Sequence, residues 1–230
     1  MNRSGAASVT IAVDDAHSVR GLLLAPPSAR ACYVLAHGAG AGMFHPFMDG
    51  AAKGLAERGI ATLRYQFPYM ERGAKRPDPP TLAHATVRAA VTQAARLAPA
   101  LPLLAGGKSF GGRMTSQAQA ASPLAGVRGL AFLGFPLHPA GRPSDARAEH
   151  LFEVEMPMLF LQGSRDKLAN LELLQRLIAR LGERASLRLM QDADHSFHVL
   201  ARAGRRDADV QNEMLDTLAA WILSVIACCG

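Results

Sequence analysis

Short apolar runs alternate with helix-length segments along most of this chain, and that alternation admits only a narrow set of folds. Cys32–Ala36, Ile60–Tyr65, Leu101–Ala105, Gly129–Phe135 and Met158–Gln162 are nearly continuous in apolar character. Strands of this kind are buried on both faces, as in a parallel sheet covered by helices on either side. Between them lie helical segments. Pro46 to Arg58 has proline at its first turn and Gly59 past its end. Thr81–Leu97 carries Leu82, Ala85, Ala89 and Ala90 on one face, Leu171–Leu181 is amphipathic, and Val210–Ile226 closes the chain. Ser8–Val13 and Val19–Ala25 read as an opening hairpin around Asp14-Asp15, and Ser186–Met190 as a last short strand. The pattern predicts an α/β fold with a mainly parallel sheet and helices on both faces. A length of 230 residues suits one such domain spanning residues 1–230. Gln66–Pro80 and Pro136–Glu155 read as loops sized to rim a cleft and too short for a separate cap domain. The ligand crevice is expected at the carboxyl ends of the strands.

Composition removes several classes. Hydrophobic residues make up 49%, which fits a folded protein. No apolar run approaches the ~18 residues of a membrane span, so no membrane association is expected. The opening residues have no apolar stretch before Asp14, so no secretion signal is expected. There are three cysteines. Cys32 sits in an apolar run, and the neighbours Cys228 and Cys229 would bridge only with backbone distortion, so reduced thiols and a cytoplasmic setting are expected. The net charge is +6 and the isoelectric point near 9.7. Its arginine clusters, Arg72–Arg76 and Arg202–Arg206, interleave no aromatic residues and belong to no nucleic-acid module, so no nucleic-acid partner is expected.

One motif stands out for chemistry. Gly107-Lys108-Ser109-Phe110-Gly111 has the G-x-S-x-G spacing, with the Leu101–Ala105 run leading in and a helix-compatible stretch, Arg113 to Ala121, leading out. A serine on a sharp strand-to-helix turn has its hydroxyl lifted above the sheet edge, and flanking glycines let the chain pass without clashes. The pentapeptide alone recurs by chance, as a plain Gly-Ser turn, so its context carries the reading. Gly107-Lys108-Ser109 also ends like a phosphate-binding loop, but that motif needs glycine where Pro102 stands.

A serine nucleophile needs a base, and the base needs a group to orient it. In elbow architectures the acid and then the histidine follow the nucleophile. Asp166 lies just beyond the Met158–Gln162 strand, a position that also suits an N-cap for the next helix. His195, in Asp192-Ala193-Asp194-His195-Ser196-Phe197-His198, lies between the last short strand and the closing helix. His198 is the rival base; Asp192 and Asp194 are rival orienters, though adjacent side chains rarely reach the needed geometry. His17, His84 and His150 read as surface residues. An oxyanion needs two preorganised N–H donors. Phe110 would supply one. The loop His37-Gly38-Ala39-Gly40-Ala41-Gly42-Met43 would supply the other, from Ala39 or, second, Gly40, with His37 holding the loop in shape.

These segments together resemble the α/β-hydrolase superfamily, closest to its small, capless, dienelactone-hydrolase-like branch. The likeness spans about Val19 to Ile226 and rests on four motifs in order: His37 to Gly42, Gly107 to Gly111, Gly163-Ser164-Arg165-Asp166, and Asp194-His195-Ser196-Phe197. Arg64-Tyr65-Gln66-Phe67-Pro68-Tyr69-Met70 and Gly134-Phe135-Pro136-Leu137-His138-Pro139 resemble a little-characterised subgroup, which includes bacterial predicted hydrolases and relatives of a subunit of an animal chromatin-modifying complex. The chain departs from dienelactone hydrolase proper, which has a cysteine nucleophile where Ser109 stands. The resemblance implies an α/β-hydrolase fold and a triad. The expectation is therefore a serine hydrolase acting on an ester, thioester or lactone of a small molecule, with no metal or cofactor. Gly40, His45, Tyr69 and His138 are candidates to bind substrate; Lys108 and Arg113 either attract an acidic acyl group or are simply solvated or paired. The alternative is a hydrolase fold kept as an interaction module. A set of nucleophile, acid, base and donor loop favours catalysis, since a scaffold needs none of them.

Overall fold

The computed structural model describes residues 5–228; Met1–Ser4 and Cys229, on which two of the expectations above fell, lie outside the described residues. Strands β1 (Ala7–Ala12) and β2 (Ser18–Leu24) form the opening hairpin. β3 (Ala31–Ala36) leads through the glycine loop to α1 (Pro46–Glu57) and β4 (Ile60–Tyr65). The short α2 (Pro68–Glu71) and the long α3 (Pro80–Leu97) precede β5 (Leu103–Lys108) and α4 (Phe110–Ala121). β6 (Val127–Leu133), β7 (Met158–Gly163), α5 (Leu171–Leu181), β8 (Ala185–Met190) and α6 (Asp207–Ala227) complete the chain. The loop expected over Pro136–Glu155 contains a 3-10 turn, Ala146–Glu153, which buries Ala148 and Leu151.

The eight strands of the described residues form one sheet in the order β1-β2-β4-β3-β5-β6-β7-β8, antiparallel at β1–β2 and β2–β4 and parallel from β4 onward. The apolar strand runs are explained by their surroundings. Every residue of β3, β4 and β7 is buried. Alternate side chains of these strands enter two cores. One core receives Met48, Ala51 and Leu55 of α1 and Val210, Met214 and Leu218 of α6. The other receives α3, α4 and α5, the last through Leu174, Leu177 and Leu181 at helical spacing. Among the described residues no separate cap covers the sheet.

The order of the strands dictates where a ligand can sit. The chain runs outward from β3 to β4, then returns to place β5 on the other side of β3. Connections leaving β3 and β5 therefore diverge, and a crevice opens at the carboxyl ends of those two strands. The glycine loop follows β3 and Ser109 follows β5.

Candidate active site

Ser109 is the turn between β5 and α4, with φ 51° and ψ −116°. A non-glycine residue rarely adopts this conformation, at a cost of roughly 1–3 kcal/mol. The turn is pinned on both sides: the Ser109 N–H donates to the Leu133 carbonyl at 3.2 Å, and its carbonyl accepts from Arg113 N–H at 3.1 Å. The strand leading in must pass very close to β3. Gly107 has φ 153°, and a Cβ there would lie 2.2 Å from the Ala36 carbonyl oxygen. At Gly111, a Cβ would meet the His37 carbonyl at 2.5 Å. Both motif glycines are thus required by backbone approaching backbone, on either side of the serine.

The His195 Nε2 lies 2.8 Å from Ser109 Oγ, and its Nδ1 lies 2.6 Å from Asp166 Oδ2. With a proton on Nδ1 donated to the carboxylate, Nε2 is left to accept from the serine hydroxyl. The Asp166 side chain is wholly buried, while that of His195 is 24% exposed, so the base faces the cleft and the acid lies behind it. A buried carboxylate needs donors, and Asp166 has them. Its Oδ1 accepts the Leu168 N–H at 2.7 Å, and Gln162 Nε2 donates to Oδ2. Asp166 does not cap the next helix, because α5 starts at Leu171 and its N-cap is Asn170, whose side chain accepts the Leu173 N–H. The Asp166 carboxylate instead closes a local turn at Leu168 while meeting His195. The rivals lie elsewhere: His198 is on the surface, its Nδ1 2.8 Å from the Asp207 carboxylate, and Asp194 accepts the N–H groups of Ser196 and His198, shaping the loop.

A cavity of about 380 Å³ opens over Ser109, lined mainly by the glycine loop, His45, Phe47, Met48, Lys108, Leu168, His195 and Ser196. Ala39 lines it. Gly40 does not, and its N–H donates to the Tyr69 hydroxyl at 3.1 Å, so it is not free to face an oxyanion. Phe110 opens α4, where a backbone N–H has no acceptor within its own helix. Of the expected substrate-binding residues, His45 lines the cleft, and its Nδ1 also accepts the Phe47 N–H at the start of α1. Tyr69 and His138 do not; both are buried supports. The His138 Nδ1 is 2.8 Å from the Pro139 carbonyl and its Nε2 accepts the Asn170 N–H at 2.7 Å. Arg113 does not line the cleft either. His150, expected at the surface, is half-buried against Ser116, and burial pushes its pKa down to about 4.

The two sequence stretches flanking the motifs turn out to buttress the two loops of the site. From the first, Gln66 accepts the Met43 N–H at 2.8 Å, and the Phe67 N–H donates to His37 Nε2 at 3.1 Å. His37 is fully buried, its pKa pushed down to about 4 by desolvation, so its neutral ring bridges Phe67 and the Gly38 carbonyl and fixes the glycine loop. From the second stretch, the Phe135 N–H donates to Gln162 Oε1 at 2.9 Å, and the His138 N–H to the Leu168 carbonyl at 3.0 Å. Gln162 thus connects this stretch to Asp166. Sequence reasoning missed it, although a glutamine ending an otherwise apolar strand was a visible signal. Lys108, left open by the sequence, is half-buried in the cleft wall; its ammonium donates to the His195 backbone carbonyl.

The model of the alpha/beta hydrolase domain family matches residues 29–223. The chain belongs to the alpha/beta-hydrolase superfamily. Among solved structures it is similar to a lidless serine hydrolase of Xanthomonas campestris, at 21% identity and TM-score 0.71, covering 94% of each chain. A dienelactone hydrolase from Anabaena variabilis matches at 19% identity and TM-score 0.75, over 95% of this chain and 97% of that one. An esterase domain from Rhodothermus marinus matches at 17% and 0.71, over 94% and 97%. At these identities the likeness to the solved structures is one of fold. This hydrolase contains, among its described residues, no helix long and apolar enough to cross a membrane. It also has no group of three or more His, Cys, Asp or Glu arranged to hold a metal ion among those residues. Cys32 is buried in β3, its thiol pushed up to about 12 by desolvation.

Proposed function

We propose that this protein is a serine hydrolase that cleaves the ester, thioester or lactone bond of a small molecule, with Ser109 as nucleophile, His195 as base and Asp166 as orienter. The observation that carries the reading is the unbroken hydrogen-bonded chain from Asp166 through both nitrogens of His195 to Ser109, at 2.6 and 2.8 Å. Ser109 Oγ attacks the carbonyl carbon as Nε2 takes its proton. The resulting oxyanion accepts the N–H groups of Phe110 and Ala39. The imidazolium, held by the Asp166 carboxylate, then protonates the leaving oxygen or sulfur, and the tetrahedral adduct collapses to an acyl-enzyme. Water then attacks the acyl carbon as Nε2 takes its proton. The second tetrahedral adduct collapses as the imidazolium returns that proton to Ser109 Oγ, releasing the acid and free Ser109. The strain held at Ser109 and the support behind both loops favour this role, since each fixes a group that must not move during the reaction.

The mostly apolar cleft of about 380 Å³ is of small-molecule size. Against a p-nitrophenyl ester series from acetate to palmitate, with thioester and lactone counterparts, kcat/KM is expected to be highest for short acyl groups. Failure to turn over any member of the panel, or preference for palmitate over acetate, would contradict the reading.

A further inference from the structure

Lys108 occupies the x position immediately before Ser109 and ends β5. The strand pleat turns its side chain away from the α3/α4 layer and toward α1 and the histidine loop. There its ammonium donates to the backbone carbonyl of His195. Among the described residues no backbone N–H donates to that carbonyl. The Phe197 and Phe47 ring centroids lie 5.0 and 5.7 Å from Nζ, and the two rings stack on each other at 5.9 Å with 9° between their planes. The loop so held is a strained one: Asp192 and Phe197 both have positive φ, at 60° and 65°.

The ammonium is costly here. Burial pushes its pKa down from the ordinary 10.5 to about 8, against the opposing fields of Asp166 and Asp194. An uncharged side chain of the same length would avoid that desolvation. The fold thus keeps a charge where packing does not need one, and its one strong bond goes to the residue that presents the imidazole. We propose that Lys108 is a positioning residue for the base, tying the His195 carbonyl to the strand end that carries Ser109, so that adjacent residues fix nucleophile and base relative to each other. The inference rests on the hydrolase reading above.

The pH dependence has a definite sign. The titratable groups around the ammonium are Asp166 and Asp194, His195 itself, and His45 in the same cleft. Below about pH 8 Lys108 is charged and the tie holds; above it the charge-assisted bond and the ring interactions weaken, so kcat falls on the alkaline side. For stability the direction is opposite. Between about 8 and 10.5 the unfolded chain binds the proton and the folded one does not, so stability rises with pH in that window. Lys108→Met should therefore leave Tm at or above the wild-type value while lowering activity.

The test is steady-state hydrolysis of p-nitrophenyl acetate from pH 6 to 10 by wild type and Lys108→Met, with Tm measured for both. The expected result at pH 7 is a kcat loss of about ten- to a hundredfold, the scale of a small misplacement of a catalytic group. KM should stay within about twofold and the alkaline limb near pH 8 should disappear. A kcat within twofold of wild type, a loss confined to KM, or a limb that persists would overturn the proposal. A loss confined to KM would instead make Lys108 a substrate-binding group. Should Lys108→Met not fold, hydrogen exchange on the wild type decides. Corrected protection in the loop 192–198 is expected to fall between pH 7 and 9.5 while α4 is unchanged; constant protection would overturn the tie. Wild type that neither hydrolyses the ester nor reacts with a fluorophosphonate would sink the hydrolase reading instead, a result distinct from any difference between the two proteins.

Discussion

Ser109→Ala is expected to lower kcat toward the best ester substrate by roughly a million-fold, and His195→Ala by about as much, because the two act as one unit. The double substitution should then be scarcely worse than either single one. Without Oγ there is no atom for the imidazole to activate; without the imidazole the hydroxyl remains a weak nucleophile at neutral pH. Neither change should unfold the protein, since the Ser109 backbone bonds to Leu133 and Arg113 are independent of its side chain. Additive losses in the double variant, measured by steady-state kinetics with thermal unfolding as control, would show that the two residues do not share a step.

Asp166→Asn has the second-largest expected effect, a fall in kcat of about ten-thousandfold. The geometry leaves an amide no good orientation. Oδ2 receives Gln162 Nε2 and His195 Nδ1, and Oδ1 receives the Leu168 N–H. Turned one way, the new NH2 group faces His195 and favours the tautomer with its proton on Nε2, which cannot accept from Ser109. Turned the other way, it faces the Leu168 N–H and leaves buried donors unpaired, at a cost of about 1–3 kcal/mol. A joint loss of kcat and of denaturant stability is expected. If Asp166→Asn retained more than a tenth of wild-type kcat, another group would have to orient the base.

Much of this arrangement was legible in the residues, and the places where it was not share a physical cause. The apolar strand runs and the helical spacing of Leu174, Leu177 and Leu181 carry their own signal, because burial on both sheet faces and on one helix face requires those patterns. Ser109, Asp166 and His195 were readable because each directly follows or lies just beyond a strand, in a fixed order. The boundaries around the elbow were not. Leu101–Ala105 was the strand expected, whereas β5 spans Leu103–Lys108. Glycines are poor strand formers on their own, yet Gly107 is imposed by the Ala36 backbone, a neighbour distant along the chain. Likewise α4 starts at Phe110 and includes Gly111 and Gly112, where propensity argues for a later start. Tyr69 and His138 sit in stretches flanking the cleft, and sequence cannot tell whether such a side chain points into a cleft or behind it. Both point behind, as do Gln162 and His37, and these supports are what hold the site's loops in place.

The central claim is that Ser109 is the nucleophile activated by His195. Intact mass and peptide mapping after treatment with a fluorophosphonate test it most directly. One adduct per chain on the peptide containing Ser109, absent in Ser109→Ala and formed far more slowly in His195→Ala, is the predicted result. Labelling at another residue, or at an undiminished rate in His195→Ala, would contradict it.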